Sequence, residues 1–103
     1  MKIHHVAVKS CNIPASIEWY QSNLSAVVEY VDDSWAMLKI GDTRLALVTP
    51  SQHPNHTGVE VESFNAFPDG SHVKQHRDGS WYTYQSDPDG NIIELVYFGN
   101  DYR

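Results

Sequence analysis

The sequence predicts an α+β fold. It reads as two βαβββ modules whose strands form a curved, partly open mixed sheet or barrel, the second module having its helix reduced to a turn. Three observations predict this. Short β-branched runs recur along the chain with brief polar turns between them. One amphipathic stretch carries helix signals. The pattern V-x-V-x-S-x-N occurs twice, in "VAVKSCN" (6–12) and "VEVESFN" (59–65). At 103 residues the chain fits one domain, 1–103, with module 1 over 1–52 and module 2 over 53–103.

The elements follow in order. "KIHHVAVKS" (2–10), with Ile3, Val6 and Val8, reads as a strand. Asn12 is a capping candidate, Pro14 suits a first helical turn, and "ASIEWYQSNL" continues as a helix. Its apolar stripe is Ile17, Tyr20 and Leu24, at spacings of a helix face packed on a sheet. "AVVEYV", "SWAMLKI" and "TRLALV" follow, joined by "DD" and "GD" as hairpins. "TPSQHPNHT" is a loop, and the strand beginning at "HTGVEVES" opens the second module. Where a second helix belongs there is only "FPDGSH", room for a turn. Strands resume with "HVKQH", "SWYTYQS" and, after the turn "DPDG", "NIIELVYF".

Composition excludes several roles. Thirteen acidic and seven basic residues give a formal charge of −6, with no basic stripe to neutralise phosphates, so no nucleic-acid partner is expected. No apolar run reaches bilayer-spanning length, so no membrane partner is expected either. The lone cysteine, Cys11, has no internal disulfide mate, and a cytoplasmic location follows as the default.

Strand parity sorts the polar residues. Val6 and Val8 share one face, His5 and Ala7 the other; Val59 and Val61 oppose His56, Gly58 and Glu60; Ile93 and Leu95 oppose Glu94. With the aliphatic faces under the helix, His5, His56 and Glu94 project from the concave side. Two imidazoles and a carboxylate are the facial donor set of divalent metals with open positions for substrate. The competing reading pairs Glu94 with Lys39, Arg44 or Lys74, and takes His53, His72 and His76 as loop and edge-strand residues. The repeat sets Gly58, two residues beyond His56, opposite His5.

"DPDGNIIELV" at the end and "IHHVAVKSCNIPASIEWYQSNL" at the start resemble the closing and opening motifs of the vicinal oxygen chelate superfamily. That group includes glyoxalase I, bleomycin-resistance proteins and extradiol dioxygenases. The resemblance implies two βαβββ modules around a cavity and, position by position, metal ligands at His5, His56 and Glu94. Ala46 stands where many members place a fourth ligand, which counts against a glyoxalase I or epimerase assignment, since both use four protein ligands; a His-His-Glu triad instead resembles the extradiol dioxygenases and fosfomycin-resistance enzymes. Tyr84 aligns with a substrate-contacting tyrosine of the fosfomycin-resistance enzymes, and Glu60, on the cavity face, is a candidate general base. The implied activity is Lewis-acid (lyase, isomerase or transferase) or dioxygenase chemistry on a small oxygen-bearing substrate, using Mn, Fe, Ni or Zn. The alternative is a metal-free ligand-sequestering protein in which Trp35, Trp81, Tyr82 and Tyr84 offer stacking surface. Members often complete their cavities across a twofold axis, so a homodimer is expected.

Overall fold

The computed structural model describes residues 1–99 and consists of two compact units, His5–His56 and, from Thr57 onward together with Met1–His4, a second. The first unit contains β1 (Lys2–Lys9, its opening residues counted with the second), α1 (Ile13–Leu24), β2 (Val27–Val31), β3 (Trp35–Ile40) and β4 (Thr43–Val48). Its strands run in the order β2-β3-β4-β1. β1 lies parallel to β4, Val6 opposite Leu45 and Lys9 opposite Val48, while the other pairs are antiparallel.

The helix forms where the sequence signals lie. Asn12 Oδ1 accepts from the Ala15 N–H at 3.1 Å, and Pro14 occupies the first turn, where a missing N–H is harmless. A cap of this kind stabilises by about 1 kcal/mol. Twelve residues are marginal as a helix in water, so tertiary packing carries most of the stability. That packing differs from the expected stripe. Ile13 is buried and Ile17 and Tyr20 pack beside it, but Leu24 is 45% exposed. Leu24 is the last helical residue before Ser25 turns left-handed at φ 55°, and the chain leaves the helix there.

β3 and β4 are two-faced. Ala36, Leu38 and Leu47 meet Ile13 and Ala26 in the core beneath α1. The intervening residues Ala46 and Val48 gather with Ala7 on the opposite face, where Trp35 and Met37 pack against them. His5, two residues before Ala7, therefore shares the face turned away from the helix.

The second unit contains β5 (His56–Glu60), a single 3-10 turn (Phe64–Ala66), β6 (Lys74–Gln75), β7 (Trp81–Ser86) and β8 (Ile92–Tyr97), in strand order β5-β8-β7-β6. β5 and β8 are parallel, and β8-β7 and β7-β6 antiparallel. The helix is reduced to a turn, as expected, and aromatic rings take its packing role: Phe64 meets Phe67, Trp81 and Tyr97 edge-on at 5.1, 5.8 and 6.3 Å. "HVKQH" is shorter as a strand than expected, only Lys74–Gln75. The fold is α+β with parallel and antiparallel pairing, and neither set of strands closes on itself, β2 ending the first set and β6 the second. No helix among the described residues is long and apolar enough to cross a membrane.

The turn before β8 is organised by one carboxylate. Asp87 accepts from the Asp89 and Asn91 backbone N–H groups and from Asn91 Nδ2 at 2.8–2.9 Å, while Gly90 supplies φ 85°. The Asn91 side chain first, then the backbone donors, hold the Asp87 carboxyl below its ordinary range. A depressed folded-state pKa means the stabilisation is fully present above the unfolded value and lost as pH falls through the folded one. The carboxyl NMR titration of Asp87 should accordingly have its midpoint below the ordinary Asp value of about 3.9. An ordinary midpoint would contradict the hydrogen-bonded turn.

Candidate functional site

Two groups of polar side chains lie on the faces that parity assigns to them. The first belongs to the unit His5–His56. His5 and His56 are each 8% exposed, and their Nε2 atoms face one another at 3.2 Å with the rings crossed at 81°. His56 Nδ1 lies 2.8 Å from the Pro54 carbonyl oxygen. A carbonyl only accepts, so Nδ1 carries the proton and the neutral ring keeps its lone pair on Nε2. This is how a backbone carbonyl fixes the tautomer of a ligating histidine.

The pair suits a metal. Imidazole nitrogens 3.2 Å apart are close enough that both could hold a common ion. The repeat had set Gly58 opposite His5; the imidazole that meets His5 is that of His56, at the position the family motif indicates. His56 accordingly sits at the first residue of β5, beside the loop whose Pro54 orients it.

The second group belongs to the other unit. Glu94, in the middle of β8, is 3% exposed. Its register neighbours are Gly58 on β5 and Tyr84 on β7. His76 Nε2 donates to Glu94 Oε2 at 3.0 Å, and the His76 ring stacks on Tyr82 at 3.8 Å and 10°. Tyr82 meets Tyr84 edge-on at 5.6 Å. Burial foremost, with the Glu94 charge adding to it, pushes the Tyr82 and Tyr84 phenols above their ordinary range; Tyr84 is the more strongly raised. Both phenols therefore remain protonated donors through neutral pH.

The expected residues distribute as follows. His5 joins His56, and Tyr84 neighbours Glu94. Glu60 pairs in register with Val96, two positions along from Gly58 and Glu94, hence roughly 7 Å along the strand. It borders a shallow depression with Met1, Lys2 and Glu62. Of the cations that the competing reading pairs with Glu94, Arg44 meets Glu29 at 3.0 Å and Lys74 sits on β6 opposite Tyr82. The residue that sequence reasoning missed is His76. No local sequence pattern marks it: His76 comes into line only once Lys74 pairs with Tyr82 and the His76 N–H reaches the Ser80 carbonyl. Continuing that hairpin puts residue 76 on the face of Tyr82, Tyr84 and Glu94.

No protein-family model matches the sequence, and no curated protein matches it. Solved structures do. A methylmalonyl-CoA epimerase from Mycobacterium tuberculosis is similar over 97% of this chain and 89% of that one, at 17% identity and a TM-score of 0.71. A variant of the methylmalonyl-CoA epimerase from Streptomyces coelicolor, in complex with 2-nitronate-propionyl-CoA, is similar over 97% and 99%, at 20% identity and a TM-score of 0.72. A glyoxalase/bleomycin resistance protein/dioxygenase superfamily member from Vibrio splendidus is similar over 90% and 95%, at 14% identity and a TM-score of 0.68. Identities this low speak for backbone architecture, and with the βαβββ element order they support one conclusion: the chain has the fold of the vicinal oxygen chelate superfamily.

Proposed function

We propose that this chain is a small divalent-metal-dependent enzyme in which His5, His56 and Glu94 are the protein ligands. The observation that carries the reading is the buried His5–His56 pair, with converging Nε2 atoms and a His56 tautomer set by Pro54. Glu94 supports it as a buried carboxylate, and the three offer one ligand atom each. Two imidazoles and one carboxylate suit Mn, Fe, Ni or Zn. Bound there, such an ion supplies Lewis acidity toward a carbonyl or oxyanion.

The chain's own residues would do the rest. His5 and His56 would hold the ion through imidazole nitrogens in a buried setting, where electrostatic interactions strengthen. Tyr84, kept protonated, donates a hydrogen bond to a substrate oxygen and stabilises charge developing there. The substrate is a small oxygen-bearing molecule, converted by Lewis-acid chemistry or, with iron, oxidised by dioxygen. The exposed edge strand β2, with Val27 and Val31 at 63% and 50% exposure, would be covered in a homodimer.

One observation favours a second reading. The His76–Glu94 bond gives the carboxylate a partner of its own, and the stacked His76 and Tyr82 with Tyr84 make an aromatic wall for a flat or cationic ligand. Such a protein would sequester its ligand without metal. Elemental analysis of protein prepared without affinity tag or chelator separates the two. Near-stoichiometric Mn, Fe, Ni or Zn, lost in His56→Ala, is the expected result, in a preparation that light scattering finds at twice the chain mass. No ion before or after reconstitution would overturn the enzyme reading, and a monomer would overturn the dimer.

A further inference from the structure

We infer that His76 is the positioning residue of the centre proposed above: it holds Glu94 in its ligating orientation and sets the affinity for the ion from outside the ligand set. This rests on the reading of Glu94 as a ligand and extends it to a residue with no expected role.

The argument begins with the carboxylate. Glu94 is 3% exposed in mid-strand, where little water reaches its lone pairs, so protein donors must serve them. His76 Nε2 serves Oε2 at 3.0 Å across 18 residues of chain. Pinned through Oε2, the carboxylate cannot rotate freely about its last torsion, and Oε1 is presented in one orientation. A ligand held this way loses less freedom on binding an ion than a loose one.

The donor is itself fixed. Its ring lies flat on Tyr82 at 3.8 Å, which sets the imidazole plane. Its backbone closes the turn on both sides: the His76 N–H donates to Ser80 O at 2.8 Å, and His76 O accepts from the Gly79 N–H at 3.0 Å. Asp78 accepts from the Ser80 N–H and hydroxyl at 2.8 and 2.6 Å, and Gln75 Nε2 donates to Gly79 O at 3.0 Å. A two-residue strand would be a weak platform alone. These bonds make the turn after β6 rigid enough to aim one nitrogen. Imidazole–carboxylate pairs of this sort tune the ligands of metal sites, and losing the outer partner commonly costs about 10–100-fold in metal affinity.

The experiment titrates Co²⁺ into metal-free protein, following the visible absorption of bound cobalt, for the parent chain and for His76→Ala, His76→Gln and Glu94→Ala. Gln places an amide donor near the position of the imidazole Nε2. The expected pattern is a Co²⁺ affinity lowered about 10–100-fold with an altered cobalt spectrum in His76→Ala, and both largely recovered in His76→Gln. Circular dichroism of the metal-free variants keeps loss of fold separate from loss of affinity. If Glu94→Ala abolishes binding while His76→Ala binds as tightly, with an unchanged spectrum, the positioning role is overturned and the proposed centre stands. Equal weakening in both His76 variants with an unchanged spectrum would make His76 a packing residue, overturning the inference too. If the parent binds no Co²⁺, the proposed centre fails and this inference with it.

Discussion

Replacing Glu94 by Gln should abolish the thermal stabilisation that added metal confers, while leaving the metal-free protein folded. The substitution preserves shape and keeps an amide oxygen to accept from His76 Nε2, so the bond now at 3.0 Å has a successor. It removes the charge that an ion requires from this ligand set. An ion present at 100 times its dissociation constant stabilises the parent by about 2.7 kcal/mol. For a domain of this size that is a rise in Tm on the order of 10 °C or more. Glu94→Gln should show almost none of it, and direct titration should find affinity down by at least about 100-fold, beyond what loss of an outer partner produces. Melts with and without Mn²⁺ or Zn²⁺ decide the matter. A metal-induced shift retained in Glu94→Gln would remove Glu94 from the centre and return it to a buried carboxylate paired with His76.

The faces on which these residues stand were legible because a strand has a period of two and nothing in β1 or β8 breaks it. Placing Val8 under the helix puts His5 and Ala7 opposite, and the structure keeps that order. Glu94, Tyr82 and Tyr84 likewise share a face through the pairing of Tyr84 with Glu94 and Tyr82 with Val96. The turn into β8 was legible through Asp87 and Gly90, whose side chain and positive φ specify it locally. Two features depended on information that no local pattern holds. The helical stripe extends from Ile13 through Tyr20 rather than on to Leu24, because the backbone leaves the helix at Ser25, a residue with no strong signal for a left-handed conformation. His76 follows a strand of only two residues, too short for a periodicity of its own, and its bond to Glu94 exists only once β6, β7 and β8 are aligned. Fixing those registers is what turns an edge histidine into a partner of the candidate site.

Leu38→Ala should lower stability by about 3 kcal/mol. Leu38 is fully buried in mid-β3, between Val28 of β2 and Leu45 of β4 in register, and belongs to the core of Ile13, Ala36 and Leu47 beneath α1. Truncating such a leucine costs its transfer free energy plus a cavity term, about 2.7–5 kcal/mol in a rigid core. Here neighbours in register are themselves held by strand pairing, which limits collapse into the void. Against a total of about 5–15 kcal/mol for a small domain, that is a large fraction. Urea unfolding should give a lower midpoint with an unchanged slope, whereas Leu24→Ala, at an exposed position, should shift stability by no more than about 0.5 kcal/mol. A loss under about 1 kcal/mol in Leu38→Ala would mean that α1 is not seated on β3 as described. The same variant also separates the two faces of the first unit. Leu38 lies on the helix side of β3, whereas Trp35 and Met37 pack on the side of Ala7, which His5 shares. A cavity beneath the helix should therefore lower stability without changing metal affinity measured in the folded protein. Joint loss of both would show that the His5–His56 geometry depends on how tightly the helix is packed.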